Sequence, residues 1–514
     1  MQGDIQALAF LVVFDADAHG GLDHHQQHQS RYAAVNDSGT DSVYLGQDLT
    51  PIAFQRARCA ADCFDCEHIQ GVVIAEYVLQ GSCAPITHQA NHHHRLDKTA
   101  PKVHPLPMET RAKSSFDTDV LVVGGGLVGQ SLAIALANAG VGVMVLDRMV
   151  PETTLAPEYD GRASAISFAS QEMMRATSVW DKVSESQPIL EIRVSDRLSL
   201  LHIHFDHKAL GGEPFGAMVE NRHLRMALHT TTKRTTVRNL APESLKSFDI
   251  NEFGLNAILE SGKKLRARML VAADGARSQT RDLAGIGTRG WSYDQWGIVT
   301  TVEHERPHRG IAHERFLNPG PFAILPLTGN RSSLVWTERP EMAAEMVKLD
   351  DNRFDQELRA RFGDFLGEIE TIGPRWCYPL HLRLADSYVA ERFALVGDAA
   401  HAMHPIAGQG LNLGLRDAAA LAEIIVDANR LGLDIAGPDV LARYQRWRRL
   451  DGLTLLSVTD GLNKLFAPNS GPIAWARDLG LAAVNQMPPL KQFFVNHARG
   501  TVGKLPKLLQ GTPL

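Results

Sequence analysis

The sequence predicts an α/β fold with α+β elements: a domain of parallel strands and helices, an inserted antiparallel β-sheet and a helical C-terminal region. Three observations support this prediction. Residues 119–148 have the pattern of a strand, a glycine-rich turn, a helix and a second strand. Residues 297–338 contain several short strand-like runs separated by turns. After residue 444 the chain has a helical, partly amphipathic pattern.

The glycine-rich turn predicts a dinucleotide-binding site. Residues 120–123 form an aliphatic run typical of a strand buried on both faces. Gly124, Gly126 and Gly129 follow with G-x-G-x-x-G spacing, which allows a sharp turn and close approach of the backbone to a pyrophosphate. The helix predicted over 127–138 then begins where its free N–H groups face a diphosphate.

A second strand, predicted over 143–146, completes the Rossmann-like unit. It ends at Asp147, about 20 residues after the first glycine, where an acid accepts a hydrogen bond from a ribose hydroxyl. A glycine-rich turn that serves packing alone is the alternative, but strand, helix and acid all agree with nucleotide binding. The unit does not distinguish NAD from the ADP half of FAD.

The overall composition is that of a soluble globular protein. The 514 residues are 44% hydrophobic and 21% charged, with a formal net charge of −6, which argues against nucleic acid as a partner. No apolar run approaches the ~20 residues that span a bilayer, and no basic segment precedes the apolar run near the N-terminus. We therefore expect a cytoplasmic protein.

Residues 1–110 differ from the rest of the chain. Cys59, Cys63 and Cys66 have C-x3-C-x2-C spacing, which could hold zinc or an iron–sulfur cluster. The cluster lacks a second half, so we predict no metal site. We interpret this segment as a disordered extension, or as upstream sequence translated from a start codon assigned too early, with Met108 as the alternative start.

A second motif at residues 392–421 favours FAD over NAD. A buried strand is predicted over 393–396, and Asp398 follows it, where its carboxylate can bond a polyol hydroxyl. Gly408, Gly410 and the start of a helix near Leu411 offer backbone N–H groups to an anionic ring edge. A nicotinamide dinucleotide has no use for a second polyol and ring-edge site, whereas FAD is long enough to need both.

Three separated motifs resemble those of the flavin aromatic hydroxylases typified by para-hydroxybenzoate hydroxylase. They are VVGGGLVGQSLAIALANAG, ADGARSQTR and GDAAHAMHPIAGQGLNLGLRDAAAL. Within that superfamily, the segments IRVSD, MVENRHLRMAL, YDQWGIVTTVEH and ERFLNPGPFAILPL look like the ubiquinone-biosynthesis hydroxylases. The resemblance covers about residues 116–500 and has no counterpart for the N-terminal segment.

The resemblance implies a set of residues that hold FAD. Position alone would make Arg162 a solvated charge at a helix start and Asp274 part of an ordinary Asp-Gly turn, and it would let Arg225 point either to solvent or to the cofactor. By the resemblance, Gly124, Gly126, Gly129 and Asp147 hold the ADP moiety, Arg162 and Arg225 approach the cofactor, Asp274 and Gly275 serve the phosphates, Asp398 takes the ribitol, and Gly408, Leu411 and Asn412, beside Gly410, face the isoalloxazine. Relatives often carry glutamate where this chain has Asp147.

The resemblance also implies a domain organisation. The Rossmann-like FAD-binding domain is expected to be discontinuous, and the inserted antiparallel sheet to form the substrate domain. The expected segments are 116–190, 214–285 and 374–445 for the FAD-binding domain, 191–213 and 286–373 for the substrate-domain sheet, and 446–514 for the C-terminal helical region.

The implied activity is hydroxylation of the aromatic ring of a polyprenylated phenol in ubiquinone biosynthesis. NAD(P)H as co-substrate would reduce FAD, and O2 would then add to give a flavin hydroperoxide that hydroxylates the ring. No metal is required. A base that takes the phenolic proton would assist, but we assign none, because His313 and Tyr293 are more typical of structural residues.

Several alternatives stay open. Another oxidoreductase of this fold, whether a reductase or a hydroxylase of a different aromatic or lipid substrate, would share the FAD motifs. The W-x-W-x-I-P segment of halogenases is absent from the sequence. A non-catalytic flavin- or metal-binding protein is a further alternative. The helical region after Tyr444, with the segments LTLLSVTDGLNKLF and PPLKQFFVNHARG, would either dock on the inner membrane or on ubiquinone-pathway enzymes, or cap the fold. A homo-oligomer also stays open.

Overall fold

A computed structural model of the chain describes residues 116–156, 158–196, 202–404, 408–466 and 487–514. The predicted N-terminal extension and its cysteine cluster lie outside these ranges. The strands are β1 Thr118–Val123, β2 Val143–Leu146, β3 Ala163–Ser167, β4 Gln187–Ile189, β5 Glu191–Asp196, β6 His202–Asp206, β7 Gly216–Glu220, β8 Arg238–Leu240, β9 Leu245–Asn251, β10 Gly254–Leu259, β11 Lys264–Ala272, β12 Thr288–His304, β13 Ile311–Phe316, β14 Pro321–Leu327, β15 Arg331–Glu338, β16 Ile369–Ala385, β17 Val389–Ala390, β18 Phe393–Leu395 and β19 His401–Ala402.

The helices alternate with these strands in the first part of the chain and dominate its end. They are α1 Leu127–Asn138, α2 Pro151–Thr154, α3 Phe168–Ala176, α4 Asn221–Thr232, α5 Gln279–Leu283, α6 Pro340–Met346, α7 Asp351–Phe362, α8 Gln409–Arg430, α9 Pro438–Phe466 and α10 Pro488–Arg499. Among the described residues, no helix combines the length and the apolar character needed to cross a lipid bilayer.

The first large sheet is the Rossmann-like part of the α/β fold. Its main path runs in the order β17-β18-β11-β1-β2-β8, and β1 pairs in parallel with both β11 and β2. The aliphatic run predicted as a buried strand forms β1, and its side chains from Val120 to Val122 are fully buried. The carboxyl ends of β1, β2, β11 and β18 therefore share one edge of the sheet, which is where open α/β sheets bind ligands.

The elements predicted from the glycine-rich motif are confirmed. The helix over 127–138 and the strand over 143–146 have the predicted bounds. The connection after β2 contains the short helix α2, because Pro151 at its first position is compatible with a helix. Strand β3 lies between Arg162 and α3, and β7 directly precedes α4.

The second large sheet is antiparallel except at one pair. Its order is β19-β16-β12-β15-β14-β13-β5-β6, and only β13 and β5 run in parallel. Helices α6 and α7 pack on one face, where Phe322, Trp336 and Phe354 are buried. Strand β16 continues through residue 373, the expected end of the substrate-domain segment, so it carries Tyr378 and His381 within this sheet.

A buried network of charged side chains joins α8 to α9. The Nε of Arg448 lies 2.7 Å from a carboxylate oxygen of Asp417, and both side chains are fully buried. His401 contacts the other oxygen of Asp417 at 2.6 Å. Burial alone would raise the pKa of Asp417, but the charges of His401 and Arg448 outweigh burial and hold that pKa below its usual range.

Replacing Arg448 by methionine is expected to lower the free energy of unfolding by about 3–5 kcal/mol, because the buried Asp417 would lose its guanidinium partner. Urea unfolding followed by circular dichroism measures this change. Lys348→Met is the matched control, since it removes a solvent-exposed ion pair with Glu345 and should cost less than about 1 kcal/mol. Similar losses in the two variants would contradict a stabilising role for the buried pair.

Candidate cofactor and substrate site

One cavity of about 1600 Å³ lies between the two large sheets. Its walls come from the carboxyl ends of β1, β2, β11 and β18, from one face of the antiparallel sheet, and from α10. Twelve of the thirteen predicted cofactor residues line it, and these are Gly124, Gly126, Asp147, Arg162, Arg225, Asp274, Gly275, Asp398, Gly408, Gly410, Leu411 and Asn412. Gly129 lies behind this wall, in the first turns of α1.

The glycine-rich turn leaves no room for side chains on its inner side. A Cβ added at Gly124 would lie 2.4 Å from the carbonyl oxygen of Ala273, and one at Gly129 would lie 2.0 Å from the oxygen of Gly124. Gly126, in contrast, faces open space. Helix α1 begins after Gly126 without a side-chain cap and without an acid in its first turn. Its free N–H groups therefore suit an anionic ligand.

Asp147 supports this turn from the end of β2. Its Oδ2 accepts a hydrogen bond from the N–H of Gly125 at 2.7 Å, and its Oδ1 accepts one from the N–H of Met149 at 2.8 Å. A carboxylate has about four acceptor positions, so two backbone bonds leave capacity for ribose hydroxyls. The predicted ribose contact stays a prediction.

A buried carboxylate that sequence analysis missed organises the two arginines. Asp160, only 5% exposed, bonds Arg162 Nε at 2.9 Å, Arg225 Nη1 at 3.0 Å and the side-chain amide of Asn221 at 3.1 Å. Burial raises the pKa of Asp160, but the hydrogen bonds and charge of Arg162 outweigh it, so the pKa lies well below its usual range. The nearby signal in the sequence was an acid two positions before Arg162.

The two arginines keep further binding capacity. The guanidinium of Arg162 stacks 5.1 Å from the ring centre of Tyr378, and that of Arg225 lies 5.0 Å from the ring centre of Tyr159. Within the described part of the chain, Nε and Nη2 of Arg225 are buried and have no hydrogen-bond partner. Buried N–H groups without acceptors are costly, and an anionic cofactor group would satisfy them.

Asp274 and Gly275 form the turn after β11. The carboxylate of Asp274 accepts hydrogen bonds from the hydroxyl of Ser278 and, at 3.1 Å, from the N–H of Thr280. Gly275 has a φ of +85°, and a Cβ there would meet no atom within 4 Å. Asp274 therefore holds the loop in shape, while the backbone of Gly275 remains open toward the cavity.

The second predicted motif forms the opposite end of the cofactor wall. Asp398 lies deep in the molecule with its side chain accessible from the cavity, and burial raises its pKa despite nearby His401, Arg162 and His381. Helix α8 begins after Gly408, whose φ is +62°, without a side-chain cap and without an acid in its first turn. This helix therefore presents its positive end to the cavity, as a reduced flavin ring edge would require.

Asn412 has a structural role in addition to its place on the wall. Its amide nitrogen donates to the carbonyl of Ala165 at 2.8 Å, and its amide oxygen accepts from the N–H of Ser167 at 2.9 Å. These bonds tie α8 to β3, so any contact with a flavin ring would come from the backbone or the outer edge of the residue. Leu411, the residue before Asn412, also lines the cavity.

His313 and Tyr293, which the sequence indicated to be structural residues, contact other side chains of the fold. The ring of His313 packs 4.7 Å from that of Phe365, and the hydroxyl of Tyr293 donates to Asp460 at 3.0 Å. Burial and the charge of Asp460 raise the pKa of Tyr293, so its hydroxyl keeps its proton at neutral pH. No sequence motif assigned a role to Glu314 or Tyr378, which also line the cavity.

The glycine turn generates a paired prediction. Gly126→Ala should change the unfolding free energy of the FAD-free protein by less than about 1 kcal/mol, because its Cβ meets no atom. It should weaken FAD binding about tenfold or more, because the pyrophosphate needs this close approach. Gly129→Ala should instead destabilise the fold by about 1–3 kcal/mol. Urea unfolding and FAD titration measure both effects, and wild-type FAD affinity in Gly126→Ala would contradict the assignment.

Comparison with known proteins agrees with this geometry. Residues 117–455 match the FAD binding domain family. The chain is 52% identical over 402 residues to ubiquinone hydroxylase UbiL of Rhodospirillum rubrum, covering 77% of this chain and 93% of that protein. It is 35% identical to 3-demethoxyubiquinol 3-hydroxylase of Escherichia coli, covering 74% and 98% of the two chains.

More distant proteins are also similar to this chain. The human mitochondrial ubiquinone biosynthesis monooxygenase COQ6 is 31% identical, covering 77% of this chain and 96% of that protein. The crystal structure of p-nitrophenol 4-monooxygenase from Pseudomonas putida matches with a TM-score of 0.63 at 22% identity, covering 76% of this chain and 99% of that one. The chain belongs to the FAD binding domain family and, within it, to the FAD-dependent hydroxylases of ubiquinone biosynthesis, as its motifs predicted.

Proposed function

We propose that the chain hydroxylates the aromatic ring of a polyprenylated phenol in ubiquinone biosynthesis, with FAD as cofactor and NAD(P)H and O2 as co-substrates. The observation that carries the proposal is the cavity of about 1600 Å³, which extends from a polar cofactor wall to an apolar end. The assignment to ubiquinone biosynthesis is supported by the names of the relatives, which are ubiquinone hydroxylases and ubiquinone biosynthesis monooxygenases. Bound FAD supplies the reduction of O2 and the transfer of one oxygen atom to the ring.

The predicted cofactor residues divide between the two ends of FAD. The start of α1, with Gly124, Gly126 and Asp147, would hold the ADP part. The start of α8 and Asp398 would hold the ribitol and the ring edge, because the helix N-terminus stabilises negative charge there. The free N–H groups of Arg225 would bind an anionic group of the cofactor. Each of these assignments is part of the proposal.

The apolar end has the character expected for a prenyl tail. Strands β5, β6, β13 and β14 contribute Ile192, Phe205, Ala312 and Leu325, and α10 adds Val495. Charged groups are unfavourable in such surroundings, whereas an isoprenoid chain gains free energy from leaving water. A phenol ring placed next to the cofactor would extend its tail into this end. The walls around the ring would also exclude water from the reacting oxygen.

The direct test is oxidation of NADH and NADPH by the FAD-loaded protein, with and without a short-chain prenylphenol. The proposal predicts that the phenol accelerates oxidation and that hydroxylated product forms with little peroxide. Bound FAD whose reduction is neither accelerated nor coupled to product would instead favour a reductase with another substrate.

The apolar end yields a prediction about tail length. Ala312→Leu adds bulk at a position that is only 6% exposed, so the variant should lose about tenfold in kcat/KM for a long-tailed phenol. Activity on a phenol without a tail, measured in the same variant, is the control and should change little. Equal losses for both substrates would place the tail elsewhere.

We also propose peripheral association with a membrane through α10. Met487, just before this helix, and Phe493 are 51% and 44% exposed, and Phe493 also borders the cavity, while Val495 on the same helix is buried at its apolar end. An apolar substrate dissolved in a bilayer could then reach the cavity beside this helix.

Sedimentation with phospholipid vesicles tests this association. Phe493→Ser should reduce the bound fraction, because an aromatic side chain contributes strongly to interfacial binding. Phe253→Ser is the matched control, since Phe253 is 69% exposed in the turn between β9 and β10. Unchanged binding of Phe493→Ser, or equal losses in both variants, would contradict docking by α10.

A further inference from the structure

Glu314 is a carboxyl group on the cavity face of the antiparallel sheet. Side chains on a strand alternate between faces, so Ala312, Glu314 and Phe316 of β13 share one face. All three line the cavity. The alternate residues serve the other face, where the guanidinium of Arg315 donates to the carbonyls of Arg361 and Phe362.

The neighbours of Glu314 across the strands are apolar. It pairs with Val194 of β5 and with Ala323 of β14, and Ala323 pairs in turn with Val335 of β15. Val299 of β12 continues the row, and every member of the row lines the cavity. A carboxyl group in an apolar row is unfavourable unless it has a polar partner.

The described residues provide Glu314 with neither a hydrogen bond nor an ion pair. Burial alone raises the pKa of its carboxyl to about 7. Three elements pack beside Glu314, namely β5, β14 and α10. Strand β14 has no charged or titratable residue, whereas β5 has Glu191, Arg193 and Asp196, and α10 has Lys491, His497 and Arg499. Of these, Arg193 pairs with Glu191 at 2.8 Å, and His497 bonds the carbonyl of Phe493 at 2.8 Å.

The position of Glu314 separates the two ends of the cavity. On one side, the next row of the sheet contains Thr337, Gly297 and Tyr378, and Arg162 of the cofactor wall stacks on Tyr378. On the other side lie Ala312 and the apolar end. Successive rows on one face are about 7 Å apart, which is close to the length of a substituted phenol ring. Glu314 therefore lies where the polar head of a tailed phenol would meet its apolar tail.

We propose that Glu314 binds the hydroxyl group of the phenol substrate and accepts its proton during hydroxylation. This inference rests on the proposed function. The phenolic O–H bond breaks, the proton moves to a carboxylate oxygen of Glu314, and the electron pair stays on the phenol oxygen. That charge delocalises onto a ring carbon, which forms the new C–O bond with one oxygen atom of O2. FAD reduced by NAD(P)H would supply the two electrons, so that the O–O bond breaks and the second oxygen atom leaves as water. The carbon later loses its hydrogen as a proton to water, and Glu314 returns its proton to the phenol oxygen.

The environment of Glu314 suits this role. A general base acts best when its pKa lies near the working pH, and burial brings this carboxyl to about 7. Its unpaired state leaves both oxygens available to a ligand. The carboxylate would also distinguish a phenol from an analogue whose oxygen has no hydrogen.

The test measures ligand binding to the FAD-loaded protein between pH 5.5 and 8.5, with flavin fluorescence as the readout. The ligands are a short-chain prenylphenol and its O-methyl ether. In wild type, the affinity for the phenol should rise about tenfold relative to that for the ether as the pH rises through about 7. The reason is that the ionised carboxylate of Glu314 accepts a hydrogen bond from the phenol hydroxyl, which the ether lacks. Equal binding of the two ligands across this range would overturn the inference, and this comparison requires no variant.

Glu314→Gln is the informative variant. It should bind the phenol with no step near pH 7 and lose about 100-fold in hydroxylation rate, because an amide cannot accept the proton. Glu303→Gln, on the exposed side of β12, is the matched control and should behave as wild type. A Glu314→Gln protein that keeps the pH step would overturn the assignment. Failure of wild type to bind either ligand would instead reject the proposed substrate class, and this inference with it.

Discussion

The close contact between the Gly124–Gly129 turn and strand β11 is the constraint on which the site depends. With the oxygen of Ala273 only 2.4 Å from where a Cβ of Gly124 would lie, only glycine lets β1 turn sharply beside β11. The turn places the start of α1 at the carboxyl edge of the sheet. Asp147 and Asp398 follow strands that end at the same edge, so the polar groups of the cofactor wall converge there.

The distribution of charge divides the cavity into two regions. On the cofactor wall, the negative charge of Asp160 offsets part of the positive charge of Arg162 and Arg225. This makes it favourable to keep the two guanidinium groups partly buried. The antiparallel sheet instead presents a row of apolar side chains to the cavity, in which Glu314 is the ionisable residue. A ligand with an anionic cofactor on one side and an apolar chain on the other matches this division.

Local patterns in the sequence predicted the parts of the fold that local chemistry determines. The bounds of α1 and β2 follow from glycine spacing and aliphatic runs, so they could be predicted without tertiary information. Asp160 could not, because its partner Arg225 lies 65 residues away in the chain. The pairing of β5 with β13 is likewise long-range, so nothing near Glu314 indicated apolar neighbours. The cofactor role of the predicted residues stays a prediction, although twelve of them line one cavity.

An experimental structure of the protein with FAD and a short-chain prenylphenol would test the central claim, that one cavity holds cofactor and substrate on opposite walls. The account predicts the diphosphate at the start of α1, the flavin ring edge at the start of α8, and the phenol between the flavin and strands β13 and β14 with its tail toward α10. A flavin bound away from α8, or a phenol on the far face of the antiparallel sheet, would contradict it.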